Sequence, residues 1–327
     1  MIIIAGIQNL TIREATGRGI QISDCIYVTN DCSSQLGRIL SQPFRLAIGG
    51  MESHSLITGQ AAAYWKDLPN EEDPAKALHF LNAWLQALRA FFMALWVVRD
   101  NAVNCELGFL EHHVPGKGMT RTSNFIAALF STARGSSDRI AFSAVEVRCA
   151  REYFLCFFLP LMFGLDLNDG RVPKLLINNS PPIISAKGLH RLTRFVYFLS
   201  AARCANDLGV KVSLYMTCLE IMFATEAAEL THRLSERVAF FLRNDSGERL
   251  ELYKRLKEAY NIRSKVIHGS VMSEKTQMQL PEVATDIDEL LRQLILKILA
   301  DEADRRIFDM DNSKLDDYFA RLTMGCV

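Results

Sequence analysis

Two residues near the end of the chain combine side-chain types that can cleave a phosphate ester. Arg263 and His268 lie in the segment RLELYKRLKEAYNIRSKVIHG, residues 249–269. An arginine stays charged and can hold a phosphate through two parallel hydrogen bonds. A histidine titrates near ~6.5 and can transfer protons at neutral pH. The pair therefore indicates Arg263 as the stabiliser of developing negative charge and His268 as the proton-transfer group.

The flanking sequence predicts the helix that positions these two residues. Asp245, followed three residues later by Glu248, is typical of a helix start with a capping box. Gly269 stands where a helix ends in the left-handed conformation. Arg263 and His268 would then lie about 7.5 Å apart along the axis and about 140° apart around it, on different faces. We expect them to converge most easily in a cleft shared with a neighbouring chain.

The run YNIRSKVIHG, residues 260–269, resembles the R-x4-H signature of the HEPN ribonucleases. Upstream, the pair Leu219-Glu220 and the segment ELTHRLSERVA, residues 229–239, resemble the Apea-like branch of that superfamily. The resemblance covers about residues 190 to 320. It implies a helical bundle that cleaves RNA without a metal or other cofactor. In that reaction the 2′-hydroxyl attacks the adjacent phosphate and leaves a 2′,3′-cyclic phosphate and a 5′-hydroxyl.

The same resemblance implies roles for further residues and for partners. Glu220 matches a recurrent acid that orients the arginine, Ser264 stands where many relatives carry Asn, Asp or His, and Lys265 would contact the RNA backbone. HEPN proteins usually form homodimers in which two motifs build one composite site. Many are toxins or antiviral-defence effectors that cut cellular RNA, transfer RNA included. The alternative is a HEPN bundle that binds RNA, a nucleotide or a protein partner without cutting.

Composition sets limits on these readings. The 327 residues suggest about two domains. Lys plus Arg and Asp plus Glu are both 37, and this zero balance argues against a protein that coats nucleic acid through bulk charge. Residues 229–265 nevertheless hold nine basic and six acidic side chains, a local net charge of +3. The eight cysteines form no C-x-x-C motif, which favours a reduced, cytoplasmic protein without a zinc site.

Other chemistry-bearing residues carry weaker signals. His112 and His113 are adjacent, and neighbours on a strand point to opposite faces, so a metal site there is not expected. Gly116-Lys117-Gly118 hints at a phosphate loop, but a Walker A motif would need Gly at 111 and Ser or Thr at 118. Those positions are Glu111 and Gly118. Glu220 precedes an apolar run and needs a partner if buried, for which Arg194 and Arg233 are candidates.

The pattern of apolar residues predicts an α+β protein in three parts. Residues 1–142 read as a mixed α/β domain that is a candidate sensor or regulator, residues 143–187 as a helix and linker, and residues 188–327 as a HEPN-like helical domain. The expected elements in the first two parts are the paired strands Ile2–Ile12 and Ile20–Thr29, a strand in Pro43–Ile57, helix Ala75–Val98, strand Val103–His112, a loop at 114–123 and helix Ala141–Phe163.

The two most apolar stretches, Trp84–Val98 and Tyr153–Leu165, are interrupted or shorter than the ~20 residues that span a bilayer. They are therefore expected to be buried helices of a protein that does not engage a membrane. The apolar start of the chain lacks a basic region and a cleavage site, and it is expected to be a strand rather than a signal peptide.

Overall fold

A computed structural model describes residues 1–65, 69–163, 167, 189–226 and 230–326 of the protein. The chain divides into two compact units. The first takes residues 1–130 and continues from residue 137, and the second takes residues 131–136 and the described residues from 189 onward. The predicted α+β class is confirmed, because the described strands all belong to the first unit and the second is helical.

The first unit contains an antiparallel sheet of six strands in the order β3-β4-β5-β1-β6-β7. A separate parallel pair joins β2 to β8. The strands are β1 (Ile2–Ile7), β2 (Leu10–Ile12), β3 (Ile20–Ser23), β4 (Ile26–Thr29), β5 (Ala61–Trp65), β6 (Leu107–Val114), β7 (Gly118–Phe125) and β8 (Ile140–Phe142).

The expected pairing of Ile2–Ile12 with Ile20–Thr29 is wrong. β1 pairs instead with β5 and β6, where Ile4 lies opposite Tyr64 and Phe109. The Ile20–Thr29 segment folds on itself as the β3–β4 hairpin. A strand with apolar residues at consecutive positions is suited to burial on both faces, which places β1 inside the sheet rather than in a two-stranded hairpin.

Two helices of the first unit begin directly after capping residues. Asp73 accepts a hydrogen bond from the Ala75 amide at 2.9 Å, and Pro74 fills the first helical position. Ser143 and Glu146 form a reciprocal capping box. The helices are α1 (Cys32–Ile39), α2 (Gln42–Ile48), α3 (Gly50–Thr58), α4 (Pro74–Val98), α5 (Ala144–Tyr153) and α6 (Leu159–Met162), with a π-helical turn, Phe154–Phe158, between α5 and α6.

Helix α4 is long and apolar enough to cross a bilayer, but most of its length is buried inside the first unit. Trp84 and Trp96 both have no exposed surface. The expectation of a buried helix at Trp84–Val98 is therefore confirmed, and its apolar composition is that of a core element.

Two expected elements of the first unit are wrong. Pro43–Ile57 forms α2 and α3 rather than a strand, because Ser41 caps α2 and Gly49, at φ +101°, allows the chain to turn between the helices. The loop expected at 114–123 is mostly strand β7, which pairs with β6 through a turn containing Gly116 at φ +78°.

Two element boundaries also shift. The strand expected at Val103–His112 begins at Leu107 and extends to Val114. The helix expected from Ala141 begins at Ala144, since Ile140–Phe142 is strand β8. The expected linker within 143–187 lies mostly outside the described residues.

The second unit consists of seven described helices around a core rich in phenylalanine. Phe223 makes ring contacts with Phe241, Phe308 and Phe319. The helices are α7 (Arg191–Cys204), α8 (Leu208–Phe223), α9 (Leu230–Leu242), α10 (Ser246–Ile267), α11 (Glu274–Ala300), α12 (Glu302–Ile307) and α13 (Asn312–Thr323).

Residues 131–136, here called the early segment, belong to the second unit although they precede α5 in sequence. The Ser131 amide donates to the Arg203 carbonyl at 2.7 Å, and its hydroxyl contacts the carbonyls of Arg203 and Ala205 at 3.1 Å each. The fully buried Lys211 places its Nζ 3.0 Å from Ser131 Oγ and 3.1 Å from the Ala202 carbonyl. The early segment therefore satisfies polar groups at the α7–α8 junction.

Candidate functional site

Helix α10 carries both residues of the R-x4-H motif and ends as the sequence indicates. Gly269 has φ +67°, its amide donates to the Val266 carbonyl at 3.2 Å, and the Ser270 amide donates to the Lys265 carbonyl at 2.8 Å. These two bonds form a Schellman motif, which ends the helix at Ile267 with His268 as its C-terminal cap. At the other end, Asp245 accepts a hydrogen bond from the Glu248 amide at 3.0 Å.

Arg263 is held by Glu220, which lies on α8. The Arg263 Nη2 to Glu220 Oε2 distance is 2.7 Å, and the two side chains are 22% and 13% exposed. The Arg263 Nε and the Glu220 Oε1 are both buried, and neither has a hydrogen-bond partner among the described residues. The ion pair therefore uses only part of the bonding capacity of each group.

Burial raises the pKa of Glu220, although Arg263 and the neighbouring Tyr260 both lower it. The favourable charge of the arginine does not fully compensate for the loss of water around the carboxyl group. The structure confirms the expected contact of Glu220 with the motif arginine. The other candidate partners of Glu220 are wrong, since Arg194 donates to the Leu189 carbonyl and Arg233 pairs with Glu226.

Tyr260 is a member of this cluster that the sequence reasoning missed. The guanidinium carbon of Arg263 lies 5.4 Å from the centre of the Tyr260 ring. Burial raises the pKa of Tyr260, and the charge of Glu220 raises it further. The spacing of Tyr260 from Arg263 is the one feature that could have indicated it, because residues three apart on a helix are neighbours on its surface.

His268 does not contact Arg263. It is the C-terminal cap of α10, its side chain is exposed, and no hydrogen bond joins it to Arg263 among the described residues. The five-residue spacing separates the two side chains by about 140° around the axis, as expected. The structure therefore brings together Arg263 and Glu220 within one chain, but not Arg263 and His268.

His268 instead continues a polar stripe along α10. Residues three and four apart in a helix share a face, and the residues at these spacings before His268 are exposed or half-buried. We call this set the α10 stripe; its members are Lys254, Lys257, Asn261, Lys265 and His268. It contains three lysines, and the exposed Glu258 borders it, four residues after Lys254 and three before Asn261, so the stripe is predominantly but not purely cationic.

The side chain of Ser264 makes no hydrogen bond within the described part of the chain, and its carbonyl accepts the His268 amide at 3.0 Å. Ser264 and Lys265 are both half-buried. Their backbone carbonyls fix the end of α10, since Lys265 accepts the amide of Ser270. Ser264 thus holds the backbone of His268, and Lys265 holds that of Ser270.

The weaker sequence signals have structural explanations. His112 is fully buried and its Nδ1 lies 2.7 Å from the Glu71 carbonyl, while His113 is exposed on the opposite face of β6. Gly116 and Gly118 both have positive φ in the β6–β7 turn. Across the described residues, no group of three or more His, Cys, Asp or Glu side chains could hold a metal ion. The eight cysteines are all free thiols.

Comparisons with known proteins add no relative to this description. No protein-family model matches the chain, and neither the curated proteins nor the solved structures include a significant match.

Proposed function

We propose that the second unit is a metal-independent endoribonuclease of the HEPN type. The observation that carries the proposal is the organisation of α10: Arg263 is held by Glu220, and His268 stands exposed at a helix end that a glycine terminates. The resemblance of the R-x4-H segment supplies the reaction class. The alignment of His268 with the lysines of the α10 stripe supports a polyanionic substrate.

In the proposed reaction the 2′-hydroxyl oxygen attacks the adjacent phosphorus and the bond from phosphorus to the 5′-oxygen breaks. One group removes the proton of the 2′-hydroxyl, and a second gives a proton to the leaving 5′-oxygen. His268 performs one of these transfers. Arg263 has Nη1 without a partner among the described residues, and this donor stabilises the charge that develops on the phosphoryl oxygens.

Two proton transfers with one motif histidine per chain require two copies of the protein. Two exposed apolar residues are close to His268 in sequence: Ile267 precedes it and is 61% exposed, and Val271 follows three residues later and is 93% exposed. Exposed apolar groups beside a proposed composite site suit a homodimer in which they become buried. The biological role that follows from the resemblance is that of a cytoplasmic toxin or antiviral-defence effector, with transfer RNA among its candidate substrates.

The test is cleavage of total cellular RNA in EDTA by the full chain, followed by analysis of the new ends. Wild type is expected to give 2′,3′-cyclic phosphate and 5′-hydroxyl ends, and His268→Ala to lose at least about a hundredfold in rate. His113→Ala, which removes another exposed histidine, serves as the matched control and should cleave like wild type. Cleavage by His268→Ala at the wild-type rate would refute the catalytic assignment.

A second candidate is a helical module that binds RNA without cutting it. The observation that favours it is the separation of the two motif side chains, because Arg263 is engaged with Glu220 while His268 lies on the α10 stripe. This candidate predicts salt-dependent RNA binding, no new RNA ends with wild type, and unchanged binding by His268→Ala. Accumulation of cyclic-phosphate ends would exclude it.

A further inference from the structure

A cavity of about 370 Å³ lies in the second unit, where the ends of α9, α11 and α13 meet the start of α10. Its volume falls within the range of small-molecule sites, roughly 300–1,000 Å³. Aromatic and aliphatic side chains form part of the wall, including Phe240, Leu322 and Met324. The same wall carries Arg249, Lys297 and Tyr318, so the cavity combines an apolar surface with cations and hydrogen-bond donors.

Arg249 is the residue that gives this cavity a preference for an oxyanion. Its Nε donates to the Arg243 carbonyl at 2.8 Å, and its guanidinium carbon lies 4.3 Å from the centre of the Phe240 ring. These two contacts fix the plane of the guanidinium. Its Nη1 and Nη2 have no hydrogen-bond partner, and no acidic residue pairs with it, in the described part of the chain. A guanidinium held in this way is pre-organised for a bidentate oxyanion.

Asp304 is the one carboxylate in the wall of the cavity, and the other remaining polar groups are cationic or uncharged. Lys297 lies 3.1 Å from Asp304, so this lysine is neutralised and Arg249 remains the unpaired cation. Burial, followed by the charge of Asp304, raises the pKa of Tyr318, which keeps its hydroxyl protonated as a donor. Among the described residues, neither this hydroxyl nor the Asn244 amide makes a hydrogen bond. The wall therefore offers donors that no protein group uses.

We propose that this cavity binds a small aromatic oxyanion, a phosphate monoester or a carboxylate, with its anionic group on Arg249 and its ring against the apolar wall. The site is separate from the proposed RNA site, because residues 249 and 263 lie about 21 Å apart along α10. Its occupancy does not depend on ribonuclease activity, and binding can be measured in the absence of RNA.

The test is calorimetric titration of the full chain with phenyl phosphate, benzoate and inorganic phosphate. Phenyl phosphate or benzoate should bind at least about tenfold more tightly than inorganic phosphate. Whichever of these two aromatic probes binds more tightly shows whether the site prefers a phosphate monoester or a carboxylate. Arg249→Gln should weaken that probe by at least about tenfold, the loss typical of a charge-assisted hydrogen bond. Arg249→Lys keeps the positive charge but loses the paired donors of the guanidinium. It should bind the probe more tightly than Arg249→Gln and more weakly than wild type.

Arg255→Gln is the matched control, since Arg255 lies on the same helix, is 52% exposed and pairs with Glu251 and Asp286. It should bind the probes like wild type. Unchanged binding by Arg249→Gln would overturn the assignment of the anion to Arg249. Absence of binding for both aromatic probes, or equal binding of inorganic phosphate, would overturn the proposed ligand class. A melting temperature of Arg249→Gln close to that of wild type establishes that the variant is folded.

Discussion

The contact between Arg263 and Glu220 joins α8 to α10 through a pair that is mostly, but not fully, removed from water. Such a pair contributes little net stability, because desolvation of the carboxylate offsets much of its attraction to the guanidinium. The pair instead orients the arginine, because the bond to Nη2 fixes the guanidinium and leaves Nη1 for another acceptor. The raised pKa of Glu220 is a measurable sign of this balance.

We expect Glu220 to lower the stability of the fold as the pH rises. A carboxyl whose folded pKa is raised contributes stability that is full below its unfolded pKa, about 4.3, and that is lost as the pH rises through the folded pKa. The free energy of unfolding of Glu220→Gln minus that of wild type should therefore increase between about pH 4 and pH 7. Denaturation series at several pH values measure this difference.

Glu226→Gln is the matched control for this titration, since Glu226 forms the exposed pair with Arg233 and is itself 60% exposed. Exposed pairs contribute about 0–1 kcal/mol, so its difference from wild type should change little over the same range. A Glu220→Gln difference that is flat with pH would contradict a raised pKa.

At the residue scale, the sequence indicated Arg263, His268 and Glu220, and the contact between Arg263 and Glu220 is confirmed. It did not indicate Tyr260 as a neighbour, because an aromatic residue on an amphipathic helix is more often a core residue than part of a polar cluster. The choice of partner for Glu220 among several arginines depends on how α8, α9 and α10 pack. Packing angles between helices are not encoded in local spacing.

At the element scale, α10 is defined by its two ends. Asp245 satisfies an amide at the start, and the Schellman motif around Gly269 satisfies carbonyls at the end. The sequence predicted both ends, because capping residues are local signals. It failed for α2 and α3, where a strand was predicted in Pro43–Ile57, because Gly49 links two helices that are too short to show a clear helical period.

Gly269→Ala should destabilise the end of α10 by about 1 kcal/mol, because a side chain in the left-handed region costs roughly 1–2 kcal/mol and the reduced freedom of the unfolded chain returns part of it. The space around Gly269 is open, so no clash adds to this cost. Gly50→Ala, which also meets open space but has no positive φ, should be neutral or stabilising. Equal effects of the two variants on chemical denaturation would contradict the backbone argument.

The α10 stripe predicts the salt dependence of RNA binding. Replacing both Lys254 and Lys257 by Gln should weaken RNA binding and reduce the slope of log affinity against log salt concentration by about 1 per lysine. Lys314→Gln, on α13 and 75% exposed, should leave the slope unchanged. Fluorescence anisotropy with a labelled RNA over a range of salt concentrations measures all three proteins. An unchanged slope in the double variant would show that RNA does not follow the stripe.

At the scale of the whole molecule, the chain crosses between its two units more than once. The early segment leaves the first unit at residue 131, and the chain returns to that unit at residue 137. The sequence could not indicate this, because a six-residue polar stretch has no period that assigns it to either unit. Its destination depends on buried groups far along the chain, above all Lys211 and the carbonyls at the end of α7.

Ser131→Ala should destabilise the second unit by about 1–3 kcal/mol, because Lys211 then loses a hydrogen-bond partner in a site without exposed surface. All three tryptophans lie in residues 61–100, within the first unit. Tryptophan fluorescence therefore reports the first unit, while far-ultraviolet circular dichroism reports both. In Ser131→Ala, the unfolding transition measured by circular dichroism should move to a lower denaturant concentration. The transition measured by fluorescence should move less.

Ser33→Ala, an exposed position on α1, is the matched control and should leave both transitions unchanged. A Ser131→Ala variant as stable as wild type would mean that the hydroxyl contributes nothing to holding Lys211.

The path of the early segment also has a consequence for synthesis on the ribosome. Residues 131–136 emerge before the helices that they contact, since α7 begins only at Arg191. During translation the first unit can therefore fold before the helices that contact residues 131–136 have been synthesised. The second unit includes residues 131–136, which are synthesised earlier. A gene fragment that starts at α7 therefore encodes an incomplete unit. Recombination between these two units would have to carry the six upstream codons with the downstream helices.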